Sequence, residues 1–309
     1  DKKAVFSAQD AKSIYEIPIY YKNQNIDEYI LKKLKVPHKK SVIKPWVTFT
    51  NKLRKCNRKV KIGMIGKYVD LADSYKSLNE SLLHASVHNN NSLEIDFIDS
   101  EDITKKSINR LKNLQGIVVP GGFGNRGVEG KILAANFARI NNIPYFGICL
   151  GMQISVIEFA RNILGLKDAN STEFDLKTPF PVISLVTEWD DYKKGKLKGS
   201  LHQMGGTMRL GAQSCTLMKK TLAHSLYKKN IISERHRHRY EVNNKFVDQF
   251  NETDLVFSGY SGNKDLMEML ELKHHPWYLA SQFHPEFTSS PLKGHPLFNS
   301  FIKTAYETK

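Results

Sequence analysis

Pro144-Tyr-Phe-Gly-Ile-Cys-Leu-Gly-Met-Gln153 is the stretch from which the rest of the chain can be read. Pro144 to Ile148 is short and apolar, as a buried strand is, and Met152 to Ile163 is an apolar run of helical length. The join between them, Gly147-Ile-Cys149-Leu-Gly151, is the cysteine form of the Gly-x-Ser-x-Gly nucleophile elbow. Its flanking glycines let the chain turn sharply and leave room beside the sulfur. The sulfur then stands at a helix N-terminus, where the positive end of the dipole favours thiolate. Taken alone, the pentapeptide equally describes a buried cysteine in a strand–helix turn.

The same alternation extends to both sides. Val60–Ile65, Leu93–Ile98 and Ile117–Val119 read as strands. A helix with Leu78, Leu82 and Ala85 on one face, and another holding Ile132, Ala135 and Arg139, fall between them. Strands alternating with helices predict an α/β fold, a doubly wound and mostly parallel sheet with flanking helices. After Ser171 the pattern turns towards additional strands: Val182–Val186, Cys215–Met218, Arg237–Val242, Leu255–Gly259, Leu266–Leu272 and Tyr278–Phe283. A last helix is predicted from Pro296, a residue suited to the first helical position. Upstream, Ser13 to Leu34 predicts a short helical segment, a break at Pro18 and an amphipathic helix carrying Ile26, Ile30 and Leu34. The basic, proline-broken stretch from Lys35 to Lys59 reads as a linker. The expected division is therefore residues 1–57 and residues 58–309.

The chain has 309 residues, 40% of them apolar, which is enough for a sizeable core. No apolar run reaches the length of a membrane span. The first residues, Asp-Lys-Lys, carry neither an initiator Met nor a signal pattern, so a start inside a longer protein is expected. Three widely spaced cysteines, Cys56, Cys149 and Cys215, argue against a disulfide framework and for a reducing, cytoplasmic setting. The net charge of +15 invites a nucleic-acid reading. The basic residues show no aromatic interleaving and form no recognisable module, so lysines on solvated faces are the better account. Attraction of anionic small molecules such as nucleotides fits as well.

A cysteine nucleophile needs a base, and Gln282-Phe-His-Pro-Glu286 supplies candidates. His284 can hold the proton at neutral pH, and Glu286 can orient the ring through its other nitrogen. Two residues apart, they would share one side of a strand. An isolated His-Pro-Glu is a surface turn; its pairing with the cysteine elbow favours the catalytic account. Pro120-Gly-Gly-Phe-Gly124 follows a strand and lacks the Lys-Ser/Thr of a phosphate loop. N–H groups near Gly122 and at Leu150 suit an oxyanion hole. The His236-Arg-His238 run is crowded by arginines, so no metal site is expected there. His274-His275 before Pro276 reads as a turn, and Cys215 as core.

These motifs, in this order, resemble the class I glutamine amidotransferases. Gly63-Met-Ile-Gly-Lys67-Tyr, Asp168-Ala-Asn-Ser-Thr-Glu-Phe174, Gly205-Gly-Thr-Met-Arg-Leu-Gly211 and Glu234-Arg-His-Arg-His-Arg-Tyr-Glu-Val242 narrow the resemblance to the CTP synthase family. It runs from about residue 58 to the end, and Ser13-Ile-Tyr-Glu-Ile-Pro18 looks like the close of that family's synthetase domain. The resemblance implies a glutaminase in which Cys149 attacks L-glutamine, His284 shuttles the proton and Glu286 orients His284. It implies oxyanion contacts at Gly122 and Leu150. Glutamine would be held by Gly122, Leu150, Gly151, Met152, Gln153, Glu173 and Arg239, with Glu173 on the α-ammonium and Arg239 on the α-carboxylate. Read without the family, Glu173 is a turn cap and Arg239 a solvated arginine. The resemblance further implies no cofactor within the chain. ATP with Mg²⁺, and UTP, belong to the synthetase domain, GTP is an activator, and a homo-oligomer (a tetramer in the family) forms through the absent domain. From the residues themselves, a GTP contact is expected at Phe123, an aromatic able to stack on a base, and along the basic, glycine-rich Trp189–Gly211 with Lys193, Lys194, Lys196 and Lys198; a mobile solvated loop accounts for that segment equally well. A non-catalytic module of the same fold would have lost its nucleophile or base, and both are intact. A stand-alone amidase or peptidase would not need the Asn-Ser-Thr-Glu and Arg-His-Arg-His-Arg motifs.

Overall fold

The computed structural model describes residues 2–37, 42–67, 72–185, 188–191, 195–198, 208–262 and 266–308. Three helices come first: α1 (Ile17–Asn23), α2 (Ile26–Lys33) and α3 (Lys44–Lys55). Strand and helix then alternate through β1 (Arg58–Gly66), α4 (Lys76–His88), β2 (Asn91–Asp99), β3 (Gly116–Val119), α5 (Val128–Ile140), β4 (Tyr145–Ile148) and α6 (Leu150–Asn162). Strands dominate afterwards: β5 (Ala169–Ser171), β6 (Phe180–Leu185), β7 (Glu188–Asp191), β8 (Gly195–Lys198) and β9 (Arg209–Leu217). After α7 (Leu222–Tyr227) come β10 (Ile231–His238) and β11 (Tyr240–Val242). The chain ends with α8 (Val247–Asn251), β12 (Leu255–Ser261), β13 (Leu266–Leu272), β14 (Tyr278–Ser281) and α9 (Pro296–Glu307).

Nine strands form the main sheet in the order β10-β9-β12-β13-β14-β4-β3-β1-β2. The run β14-β4-β3-β1-β2 is parallel, and β13, β12, β9 and β10 extend it with antiparallel pairings. This is the mostly parallel sheet with flanking helices that the alternation predicts; of the additional C-terminal strands, β9, β10, β12 and β13 extend one edge, while β5, β6 and β11 form a separate three-stranded sheet and β7 and β8 a two-stranded one. Both faces are covered, so the period-2 pattern of each strand divides its side chains between two cores. Ile117 and Val119 of β3 pack with α5 and α6 on one face, while Val118 points to the other. There Ile62, Met64, Phe146 and Ile148 meet Leu78 and Leu82 of α4 and Phe298, Phe301 and Ile302 of α9.

Two local expectations are corrected. Pro18 sits in the first turn of α1 and opens that helix, since its missing N–H costs nothing there. The stretch read as a linker contains the 12-residue helix α3, opened in the same way by Pro45. Trp46, Phe49 and Leu53 of α3 pack with Tyr15 and Val87 in a small core of their own. Tyr15 meets Phe49 edge-on with ring centroids 5.0 Å apart. Among the described residues, no helix is long and apolar enough to cross a membrane.

Phe49 is only 3% exposed and joins α3 to α4. Phe49→Ala is expected to cost about 3 kcal/mol, the transfer term plus an unfilled cavity. Urea unfolding followed by far-UV circular dichroism checks this, and a loss below about 1 kcal/mol would mean that α3 packs only loosely.

Candidate active site

The parallel strands deliver their C-terminal ends to one edge of the sheet, where an open α/β sheet holds its ligands. Lys67 follows β1, Pro120-Gly-Gly-Phe-Gly124 follows β3, Cys149 follows β4, and Gln282 to Glu286 follow β14. Cys149 has φ 54° and ψ −103°, a conformation that a non-glycine residue adopts only under constraint. Its N–H donates to Ser281 O at 2.7 Å, tying the elbow to β14. The glycines on either side are sterically required. A Cβ at Gly151 would lie 2.1 Å from Val119 O, and one at Gly147 would lie 2.6 Å from Gly151 O.

His284 is buried, and its Nδ1 lies 2.7 Å from Glu286 Oε1. The strand β14 ends at Ser281, so the pair does not share a strand side. Instead a short 3-10 turn, Pro285–Phe287, folds Glu286 back onto the ring. The His284 N–H donates to Arg235 O at 2.8 Å, and Phe287 stacks on the imidazole at 5.2 Å between centroids. Burial pushes the imidazole down, but the charge of Cys149 and its hydrogen bond, together with Glu286, outweigh burial and raise His284 to about 10.

The thiol has two further neighbours. Gln282 Nε2 lies 3.8 Å from Cys149 Sγ, and Arg237 O lies 3.9 Å from it. Gln153 Nε2 donates to Tyr240 O at 2.9 Å and lies 3.3 Å from Gln282 Oε1, so Gln153 reaches the thiol through Gln282. Gly122 and Leu150 are adjacent: a Cβ at Gly122 would sit 3.5 Å from Leu150 Cδ2. A Cβ at Gly121 would sit 2.7 Å from His284 Cε1 and 3.4 Å from Cys149 Cβ. The glycine loop, thiol and imidazole therefore share a cleft of about 250 Å³, also lined by Arg237 and by Tyr75 and Lys76 before and at the start of α4.

Gly151, Met152 and Gln153 form the first turn of α6. The Met152 side chain is fully buried in the core, so it can meet a substrate only through its backbone. Glu173 does not act as the turn cap that its local sequence suggests. Its Oε1 accepts the Gly124 N–H at 2.7 Å, and burial pushes its carboxyl up against the opposing pull of that bond, Lys67 and Arg239. Arg239 lies between β10 and β11, half-buried, and its Nε has no partner among the described residues. Phe123 is 47% exposed at the mouth of the cleft. Lys193 and Lys194 lie outside the described residues, as do the side chains of Trp189, Lys196 and Lys198.

Residues 70–304 match the family described as Glutamine amidotransferase class-I. The chain belongs to the class I glutamine amidotransferases. Among solved structures, this amidotransferase is similar to the glutaminase domain of Trypanosoma brucei CTPS with bound acivicin. Identity is 38% over 80% of this chain and 94% of that one, with a TM-score of 0.73. A glutamine amido transferase from Methylobacillus flagellatus aligns at 10% identity over 74% of this chain and 70% of that one, with a TM-score of 0.43.

Lys67 has a structural part that its motif did not reveal. The amidotransferase buries it, and its Nζ donates to Phe123 O at 2.5 Å and Gly124 O at 3.0 Å, bracing the glycine loop from below. Its N–H donates to Tyr75 Oη at 3.1 Å. Only the placement of a lysine directly after a strand that ends at the ligand-binding edge hinted at this.

The raised His284 sets a pH signature. A group raised on folding adds stability that is complete below its unfolded value near 6.5 and is lost as the pH climbs through about 10. Glu286→Gln removes one of the causes, so the ring should titrate at lower pH, and the stability loss, which starts near 6.5 in both proteins, should be smaller and end at lower pH. Imidazole NMR of both proteins measures this; identical titration curves would mean that Glu286 exerts no electrostatic hold on the ring.

Proposed function

We propose that this chain is the glutamine-hydrolysing part of a CTP synthase, with Cys149, His284 and Glu286 as its triad. The observation that carries this is the His284–Glu286 hydrogen bond facing a cysteine on a constrained elbow, in a chain 38% identical to a CTPS glutaminase domain. Cys149 Sγ attacks the side-chain amide carbon of glutamine, and the carbonyl oxygen turns towards the N–H groups of Gly122 and Leu150. The cationic His284 gives its proton to the departing nitrogen, so ammonia leaves and a glutamyl thioester remains on Cys149. Water then attacks the thioester while His284 takes its proton, releasing glutamate. Glu286 keeps the ring oriented and supports its charge.

The amino-acid end of glutamine meets Glu173 through its ammonium and Arg239 through its carboxylate. Both fit: burial holds the half-buried Glu173 carboxyl above its ordinary value against Lys67 and Arg239, and the buried Arg239 Nε has no partner among the described residues. Gly151, Met152 and Gln153 line the same end. Residues 1–57 close a synthetase domain and link it to the amidotransferase at residues 58–309. The ATP, Mg²⁺ and UTP sites belong to that domain, which these residues do not include, as does the oligomer interface. There the ammonia displaces phosphate from UTP activated at its 4-oxygen, giving CTP. The setting is the cytoplasm, and neither nucleic acid nor membrane is a partner.

Cys149→Ala should abolish glutamate release, because a methyl group cannot form the thioester. His284→Ala should be nearly as damaging and Glu286→Ala milder, while the 309-residue chain alone should make no CTP from UTP, ATP and glutamine. Near-normal glutaminase activity in Cys149→Ala would remove the assignment, and CTP made by this chain alone would relocate the synthetase chemistry. GTP, acting at Phe123, activates the first step. In the full-length enzyme, Phe123→Ala should weaken that activation; undiminished activation would exclude Phe123 from the GTP site.

A further inference from the structure

Helix α4 is held between the N-terminal segment and the loop that follows Glu286. On one side, Tyr15 Oη contacts the Glu80 carboxylate and lies 2.8 Å from His84 Nε2. On the other, His84 Nδ1 lies 3.0 Å from Ser289 Oγ. Ser81 Oγ donates to Glu286 O at 3.3 Å, and His88 Nε2 lies 2.9 Å from Pro291 O. Tyr15 and His84 are both 6% exposed, so the middle of this network is shielded from water, while Glu80 and Ser289 at its ends are half-buried.

The protons of this chain have one consistent arrangement. Burial lowers His84 to about 4, so its ring is neutral near pH 7 and carries a single N–H. Tyr15 has one proton to give, and the Glu80 carboxylate is the stronger acceptor. His84 Nε2–H therefore donates to Tyr15 Oη, and His84 Nδ1 accepts from Ser289 Oγ–H. The chain Ser289 → His84 → Tyr15 → Glu80 is satisfied throughout, and removing any hydroxyl strands a buried partner.

We infer that Tyr15, His84 and Ser289 form a strut through which the N-terminal segment positions the Glu286 loop, making them positioning residues for hydrolysis at Cys149. The inference rests on the proposed triad, since it assigns a support to Glu286. Ser289 lies three residues beyond Glu286, and the strut fixes the far end of the turn that folds Glu286 onto His284. Seating of residues 13–55 on α4 is thereby transmitted to the imidazole without touching the substrate.

The test uses the 309-residue chain and its variants Tyr15→Phe, Ser289→Ala and the double variant. Tyr15→Phe keeps the ring against Phe49 and deletes only the hydroxyl. Each single variant should lower kcat for glutamine hydrolysis about fivefold with KM unchanged, and the double variant should lose little more, because both break one chain. The alkylation rate of Cys149 by iodoacetamide should fall in parallel, a readout that serves even where turnover is slow. Unchanged kcat and alkylation would overturn the strut, as would independent, multiplying losses. A lower melting temperature with normal kcat per alkylatable site would reduce Tyr15 to a packing role and overturn it too. Cys149→Ala, run alongside, separates the two ideas: if it still hydrolyses glutamine the triad fails, and if it is inactive the variants judge the strut alone.

Discussion

The constraint on which the site depends is the turn at Cys149. A non-glycine residue at φ 54°, ψ −103° costs on the order of 1–3 kcal/mol and persists only where its surroundings leave no alternative. Here β4 runs into α6 with no intervening loop, and the helix can begin so abruptly only because Gly151 lies directly against Val119 O. Its Cys149 N–H is spent on Ser281 O, the last residue of the neighbouring strand. The turn thus fixes three things at once: the thiol at the start of a 13-residue helix, the separation of β3, β4 and β14, and the point from which the chain leaves β14 towards His284.

Around that turn the site is assembled from groups far apart in sequence, each held by backbone. Gly124 N–H grips Glu173, Lys67 Nζ grips two carbonyls of the same loop, and Arg235 O grips the His284 amide. Arg239 differs: its buried Nε has no hydrogen-bond partner among the described residues.

How much of this was legible in the sequence depended on how local its cause was. The elbow, the glycine loop and the His-Pro-Glu turn are short motifs whose geometry follows from their own residues, and the alternation of strand and helix gave the parallel sheet. Helix α3 was legible in principle: Trp46, Phe49, Thr50 and Leu53 recur at helical spacing behind a proline suited to a first turn. The surrounding lysines and arginines hid that stripe and made the stretch resemble a linker. His284 and Glu286 meet through a 3-10 turn, where their two-residue spacing suggests one side of a strand. Least legible was Arg209, one basic residue among many. It is 2% exposed and bonded to Glu241 and Glu268, partners 32 and 59 positions away, so its burial has no local sequence signal.

That buried cluster bears on the imidazole. Along β10 the side chains alternate, with Arg235 and Arg237 outward and His236 and His238 inward. The outward residues lend their carbonyls to His284 and to the thiol, while the inward pair lies beside Arg209, Glu241 and Glu268. One guanidinium facing two carboxylates would leave a buried excess of negative charge. Burial raises the Glu241 carboxyl against the pull of Arg209, and Glu268 pushes it the same way as burial, so the cluster resists holding both carboxylates charged. Burial and Arg209 together hold His236 and His238 far below the ordinary imidazole value, so both stay neutral. A cation at His236 would repel the charge of His284, the reverse of what Cys149 and Glu286 provide. Neutral imidazoles beneath β10 therefore spare the cationic His284 that repulsion, and the strand's arginines turn outward.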